Sequence, residues 1–261
     1  MGLQVENREF KRNIRNFLAF WRSLPLEKTE KVKFMRRMDT KYVIRADDII
    51  GLLHDIRQDY HVLEIASQRT GTYISTYYDT DDMQMFYSHI TGRLPRYKVR
   101  ERLYSQNGLK FFEVKQKHNT DRTTKRRISL TENSITPNHW LSQHAPFCMD
   151  RLTPTLIVCF ERITLINNRH TERVTLDFNL SFSAPLGEAT PVYDRVAIVE
   201  LKQDKTASSP IMENLRSKGY RPGRTSKYCT GLFLTGYDAG YKRYKPAYSQ
   251  FIKTQYEQFL I

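Results

Sequence analysis

Acidic residues, cysteines and long apolar runs are all scarce in this chain, and each shortage excludes something. The 261 residues hold 28 Asp and Glu against 42 Lys and Arg, a formal charge of +14 with a pI near 9.7. That imbalance demands an anionic partner class: nucleic acid, a membrane surface, or a phosphate-rich small molecule or polymer. Cys148, Cys159 and Cys229 are odd in number and lack the close pairing of a zinc site. They argue against a disulfide framework or metal knuckle and for thiols in a reducing compartment. No run approaches the roughly 20 apolar residues of a membrane span, and no signal core with a small-residue cleavage site opens the chain. A cytoplasmic protein without a transmembrane segment of its own is expected.

Familiar catalytic signatures are missing as well. Gly223-Arg224-Thr225-Ser226-Lys227 carries the letters of a phosphate-binding loop at the wrong spacing. The histidines show no HExxH pattern, and no Gly-x-Ser-x-Gly elbow is present. Covalent nucleophilic catalysis is therefore unsupported.

What is present is a set of short runs that alternate charge and apolar groups. They are Asp39–Val43, Lys98–Leu103, Phe112–Lys117, Phe160–Ile163, Arg173–Phe178 and Ile198–Lys202. Side chains alternate faces along a strand, so Lys98, Arg100 and Arg102 point one way while Val99 and Leu103 point the other. Strands are expected at 72–78, 96–104, 109–117, 124–130, 156–166, 173–182 and 192–202. Asn107-Gly108 marks a hairpin, because both residues tolerate positive φ. An amphipathic basic helix over 9–21 carries Phe10, Ile14, Phe17, Leu18 and Trp21 on one face. Further helices are expected after Ala46, over 210–219 and from Pro246 to the end, with Phe251, Tyr256 and Phe259 on the last. The stretch 131–154 has no clear period.

A solvated sheet face is the ordinary explanation for alternating charge. Three details oppose it. Lys98, Arg100, Arg102, Lys115, Lys117, Lys125 and Arg127 concentrate one sign in one meander, where neighbouring cations repel unless an anion sits among them. Arginine, frequent there, has a planar donor fork that suits phosphate oxygens. Glu113 and Glu200 each precede a lysine by two residues, as a divalent ion bound to phosphate would require. A sheet curled around these faces, with helices over its apolar side, would enclose a tunnel for a polyanion.

At Asp39-Thr40-Lys41-Tyr42, Arg100-Glu101-Arg102-Leu103-Tyr104 and Phe112-Glu113-Val114-Lys115 the chain resembles the VTC-domain polyphosphate polymerases, triphosphate tunnel metalloenzymes related to CYTH domains. The likeness continues, in family order, through Lys125-Arg126-Arg127, Phe160-Glu161-Arg162, Arg173-Val174-Thr175-Leu176-Asp177, Val199-Glu200-Leu201-Lys202 and Ser226-Lys227-Tyr228, over roughly residues 30 to 235. It implies an α+β fold: an antiparallel β-barrel forming a basic tunnel, covered by helices. The implied organisation is an N-terminal helical segment over 1–28, a catalytic domain over 29–240 and a packed C-terminal helix over 241–261.

The resemblance also implies roles. Lys41, Arg100, Arg102, Lys115, Arg162, Arg173 and Lys227 would be catalytic, and Lys98, Lys125, Arg127 and Lys202 would bind substrate. Glu200, with Glu113 as a second candidate, would hold Mn²⁺ or Mg²⁺. Relatives commonly carry a glutamate where Asp39 stands, which leaves the role of Asp39 open, while Tyr77-Tyr78-Asp79-Thr80 looks like a family strand end with a structural role.

The expected activity is transfer of the γ-phosphoryl group of ATP to inorganic polyphosphate, with a membrane-protein partner as a candidate for coupling. One alternative is hydrolysis of tripolyphosphate or a nucleoside triphosphate, for which Glu113 could orient water. Another is a non-catalytic polyphosphate- or nucleic-acid-binding module. Nucleic acid is not the expected partner, because aromatics do not dominate the basic faces, although Phe111 shares one.

Overall fold

Residues with period-two patterning form a ten-stranded sheet dressed by helices, an α+β architecture. The computed structural model describes residues 2–32, 37–120, 122–131, 136–187, 191–204 and 209–256. Its strands are β1 (Ser23–Pro25), β2 (Arg37–Arg45), β3 (Tyr60–Glu64), β4 (Thr70–Asp79), β5 (Arg96–Tyr104), β6 (Lys110–Lys117), β7 (Thr123–Ser129), β8 (Thr153–Asn167), β9 (Glu172–Ser183) and β10 (Val196–Asp204). Its helices are α1 (Gly2–Ala19), α2 (Asp48–Ile56), α3 (Gln84–Thr91), α4 (Pro137–Ser142), α5 (Pro210–Ser217), α6 (Lys227–Leu234) and α7 (Tyr241–Tyr256).

The main ladder runs β2-β10-β9-β8-β4-β5-β6-β7 with antiparallel neighbours, while β3 pairs with β8 and β1 lies parallel to β3. Hydrogen bonds therefore do not close the expected barrel: among the described residues no ladder joins β2 to β7. The sheet nevertheless curls until its wings face each other. Lys115 on β6 lies within electrostatic reach of Glu200 and Lys202 on β10 and of Lys41 and Asp39 on β2. Strand twist accumulates into such a curl. Residues 221–226 border β2, where the Gly223 N–H donates to the Lys41 carbonyl at 2.8 Å.

The outer face is apolar, as the alternation predicts. Ile14 and Leu18 of α1, Leu52 and Leu53 of α2 and Ile211 and Leu215 of α5 pack on Ile44, Val174, Leu176 and Val199. Trp140 and Leu141 of α4 cover Val99, Phe112 and Val114. The inner face holds the surprise, because only part of it is charged. Tyr228, Cys229 and Leu232 of α6 and Phe251 of α7 pack with the inward-turned Val43, Leu156, Val158, Phe182 and Ile198. Residues 196–199 are thus covered by apolar groups on both faces, Val196 and Ile198 inward and Ala197 and Val199 outward, and a strand in that position reads as an unbroken apolar run rather than an alternating one.

A bulge makes the changeover on β9. The β8–β9 register shifts between Cys159 and Glu161, and Asn179 opposite takes a left-handed φ of 51°. One extra residue flips the phase of the strand. Phe178 packs outward, whereas Leu180 and Phe182 join the inner cluster.

Several elements depart from the sequence expectation. Strand β3 and helices α3 and α6 were not foreseen, and α7 begins at Tyr241 with Pro246 inside it. Phe259 lies outside the described residues. In the hairpin only Gly108 has positive φ, at 70°, while Asn107 instead accepts the Leu109 N–H at 3.3 Å. Helix α1 is longer than expected and is anchored at its C-terminal end by Arg69. That guanidinium donates to the carbonyls of Leu18, Ala19 and Trp21, a cation on the negative end of the helix. No helix among the described residues is long and apolar enough to cross a membrane.

Helix α6 sits so close to the sheet that a Cβ on Gly231 would lie 2.5 Å from Phe182 Cδ1 and 2.6 Å from Leu156 Cδ2. Both neighbours are fully buried. Gly231→Val is expected to lower the unfolding free energy by about 2 kcal/mol or more through overpacking, measured by urea denaturation. An unchanged midpoint would mean that α6 can shift without cost.

Candidate active site

The charged half of the inner face is built strand by strand from the alternating runs. β5 contributes Lys98, Arg100 and Arg102, and β6 contributes Phe111, Glu113 and Lys115. In the ladders Glu113 stands between Arg100 and Arg127, and Lys115 between Lys98 and Lys125. From the other wing come Lys41 paired with Glu200, Asp39 paired with Lys202, and Arg173 paired with Lys202. Lys227, at the start of α6, enters from the apolar end.

Counter-ions hold the cations in place. Asp177 is fully buried and receives the Arg162 fork at 2.5 and 2.7 Å, together with the Lys227 ammonium. Burial alone would raise its pKa, but Arg162 and Lys227 hold the carboxyl below the usual carboxylate range. Glu113, 1% exposed, accepts from Arg100 at 2.8 Å through Oε2 and from Lys125 at 2.5 Å through Oε1. Burial again opposes ionisation, and Arg100 and Lys125 again prevail, so its pKa is strongly lowered. Both oxygens of Glu113 are thereby engaged.

Aromatic rings form a platform under the arginines. The Arg102 guanidinium lies 5.6 Å from the Tyr73 ring centre and 5.9 Å from that of Phe160, and Arg162 lies 4.9 and 5.1 Å from the same two rings. Lys227 Nζ is 4.8 Å from the Phe160 ring centre, and Arg100 lies 5.7 Å from that of Tyr77. Tyr73 and Phe160 stack with centroids 5.4 Å apart, as do Tyr77 and Tyr228 at 5.1 Å. The negative faces of such rings offset part of the cation repulsion. Arg100 also donates to the Tyr77 hydroxyl at 3.1 Å. Burial would raise that phenol's pKa, but Arg100, Arg102 and Lys98 pull it down to about 8.

Four of the predicted arginines do not face bulk solvent. Arg102 is buried, donating to Ser75 Oγ at 2.9 Å, and Arg100, Arg162 and Arg173 are half-buried. Arg173 lies close enough to influence the Tyr73 phenol. Lys115, Lys125 and Arg127 are more open, and Arg127 stacks on Phe111 at 4.2 Å.

Lys41 and Lys98 converge where α6 begins. Lys41 donates to the Thr225 carbonyl at 3.2 Å, and Lys98 to the Ser226 hydroxyl at 3.0 Å, the same hydroxyl that caps α6. Burial, with Lys41 and Lys115 adding to it, pushes Lys98 down to about 8. Glu200 lies among Lys41, Lys202 and Lys115, which overcome its burial and hold it ionised well below the ordinary carboxyl range.

One cation already bridges two carboxylates: the Lys202 ammonium lies 3.0 Å from Asp39 Oδ2 and also contacts Glu200 Oε1. Asp39 and Glu200 therefore fit a divalent ion. Mn²⁺ and Mg²⁺ accept one or two carboxylates when phosphate oxygens and water complete the shell. Among the described residues no three His, Cys, Asp or Glu side chains form a ready cage.

Sequence reasoning did not select Asp177, Tyr73, Tyr77 or Phe160 as site residues. A parity signal was available, since Tyr73 and Tyr77 flank Ser75 on alternate positions and Phe160 stands two residues before Arg162. Nor did it select His89 of α3, a half-buried imidazole whose pKa is driven well below its ordinary value by desolvation and then by Lys98, Arg96, Lys41 and Lys115.

The geometry defines a class: a curled antiparallel sheet with cations gathered on its inner face. The chain belongs to the VTC domain family, which matches residues 36–235. Among solved structures, the fold is similar to a protein of Pyrococcus horikoshii OT3 at 14% identity and a TM-score of 0.45, covering 76% of this chain and 96% of that one. It is also similar to a Hippeastrum protein, named as an adenylyl cyclase with a dominant triphosphatase activity, at 12% identity and a TM-score of 0.42, covering 76% and 97%. A Bacillus halodurans protein named as an adenylate cyclase aligns at 15% identity and a TM-score of 0.43, covering 74% and 96%. A search of curated protein sequences finds no match.

Asp177→Asn would leave Arg162 and Lys227 facing a neutral amide. It is expected to cost about 3–5 kcal/mol of stability, read from denaturant midpoints. In the wild type, the stability contributed by Asp177 and Glu113 is present above the unfolded carboxyl pKa of about 4 and drains away as pH falls below it. A stability profile flat from pH 5 to pH 2 would contradict these ion pairs.

Proposed function

We propose that the chain transfers the γ-phosphoryl group of ATP to the end of a polyphosphate chain inside this basic cleft. One observation carries the reading: Lys41, Lys98, Lys115 and Lys202, from strands on both wings, crowd into one field that holds the carboxylates Asp39 and Glu200, and they outnumber them. A polyanion supplies what is missing.

The attacking group is a terminal phosphate oxygen of the polymer. It forms a bond to the γ-phosphorus as the bond to the β–γ bridging oxygen breaks, and ADP leaves. No protein nucleophile is required, so catalysis reduces to alignment and charge neutralisation. Arg102 and Arg162, held on one aromatic platform by Ser75 and Asp177, are positioned to donate their remaining N–H groups to equatorial oxygens. Lys227 and the first turn of α6 approach from the apolar end. Asp39 and Glu200 would hold Mn²⁺ or Mg²⁺, which when bound neutralises charge on the terminal phosphates.

The engagement of Glu113 favours transfer over hydrolysis. Orienting a water would need a carboxylate oxygen with a free lone pair facing the phosphate, and both oxygens of Glu113 are occupied by Arg100 and Lys125. Its proposed role is to position Arg100 rather than to hold metal.

Incubation with ATP and Mn²⁺ should yield long-chain polyphosphate in excess of free phosphate. Glu200→Gln should lower turnover by about two orders of magnitude. Free phosphate as the sole product would establish the hydrolytic reading instead, and full turnover in Glu200→Gln would remove Glu200 from the mechanism.

Affinity for tripolyphosphate should fall as pH rises from 7 to 9, because Lys98 loses its proton near pH 8 in the free protein. Bound anion raises the lysine pKa, so binding at pH 8 should take up protons, seen as a buffer-dependent heat in calorimetry. Lys98→Met should flatten that dependence.

A further inference from the structure

We infer that Lys202 is a built-in counter-cation that competes with the divalent ion for Asp39 and Glu200, and that metal binding expels it toward the phosphates. The inference deepens the proposed reading and rests on its assignment of Glu200 as a metal ligand.

The geometry is direct. β2 and β10 pair Asp39 with Lys202 and Lys41 with Glu200, so the two carboxylates are diagonal neighbours across one ladder. The Lys202 ammonium spans them, 3.0 Å from Asp39 Oδ2 and in contact with Glu200 Oε1. A compact ammonium suits a position between two carboxylates, and its flexible four-carbon stem allows it to leave. Lys41, the other lysine on this ladder beside Glu200, behaves differently: its ammonium donates to the Thr225 carbonyl. Among the described residues, only Lys202 bridges Asp39 and Glu200 in the gap that a metal ion would fill.

Two consequences follow. The binding-competent arrangement requires Lys202 to be displaced, so the apparent metal affinity of the free protein is lowered by the fraction of time that the ammonium holds the gap. Phosphate lowers the cost of displacement by giving the released ammonium an alternative partner, so metal and polyphosphate should bind with positive coupling. Asp39 gains a role as well. Through its contact with Lys202 it serves as the second wall of the gap.

The test is Mn²⁺ binding without nucleotide, by calorimetry and water-proton relaxation, to the wild type and to Lys202→Met, Lys202→Gln and Lys41→Met. Displacement predicts that both Lys202 variants bind Mn²⁺ at least about tenfold tighter than wild type and clearly tighter than Lys41→Met. It also predicts that tripolyphosphate tightens Mn²⁺ binding more in the wild type than in Lys202→Met. Equal gains in the Lys202 and Lys41 variants would show a general loss of positive charge and overturn the inference, as would unchanged or weaker binding in the Lys202 variants.

Two variants of different polarity guard against misfolding of one, with thermal melts as the check. A protein whose Lys202 variants gain Mn²⁺ affinity but which makes no polyphosphate would retain the competition and lose the polymerase reading. A polymerase whose Lys202 variants gain nothing would lose only the competition.

Discussion

Repulsion among like charges is the constraint on which the rest of this structure depends. Packing Arg100, Arg102, Arg162, Arg173 and several lysines along one curled face is costly unless each cation finds something negative or polarisable. Asp177 and Glu113 supply buried counter-charge, and Tyr73, Tyr77 and Phe160 supply ring faces. Neither device neutralises everything. Lys41, Lys115 and Lys202 share the field of Glu200, and Lys98, desolvated beside Lys41 and Lys115, loses part of its basicity. The remaining positive potential is what a polyphosphate would bind.

The same constraint accounts for the division of the inner face. A lumen lined throughout by cations would carry a repulsion that two or three carboxylates could not offset. Here the bulge at Asn179 turns Leu180 and Phe182 inward, α6 and α7 fill that end, and the charged residues are confined to the other. The apolar end also gives α6 a rigid seat, which fixes the height of Lys227 above Phe160. Site and core are therefore two halves of one sheet face, and a change at Gly231 reaches the cations through the helix.

Much of the site could be read from residue order. The alternation on β5 and β6 placed Lys98, Arg100, Arg102, Glu113 and Lys115 on one face, and the structure brings them to the inner side. Patterning failed where a strand is buried on both sides. Residues 196–199 look uniformly apolar, which conceals which of them faces inward. Helix α6 is not legible in the sequence because its small, mixed composition around Gly231 has little amphipathic signal; its seat is the close approach to Leu156 and Phe182.

Sequence alone determined the strands of the main ladder, which of their faces carry charge and the expectation of an anionic partner, because period-two alternation and net charge are properties of neighbouring residues. Tertiary structure decided the rest. Whether Glu113 is a ligand or a counter-ion depends on Arg100 and Lys125 closing on its two oxygens, and Lys125 comes from another strand. Asp39, ambiguous in the sequence, acquires meaning only when β2 and β10 pair and bring Lys202 to it. That lysine is 163 residues away along the chain. Electrostatic roles are set by distance through space, and a curled sheet assigns those distances without regard to sequence separation.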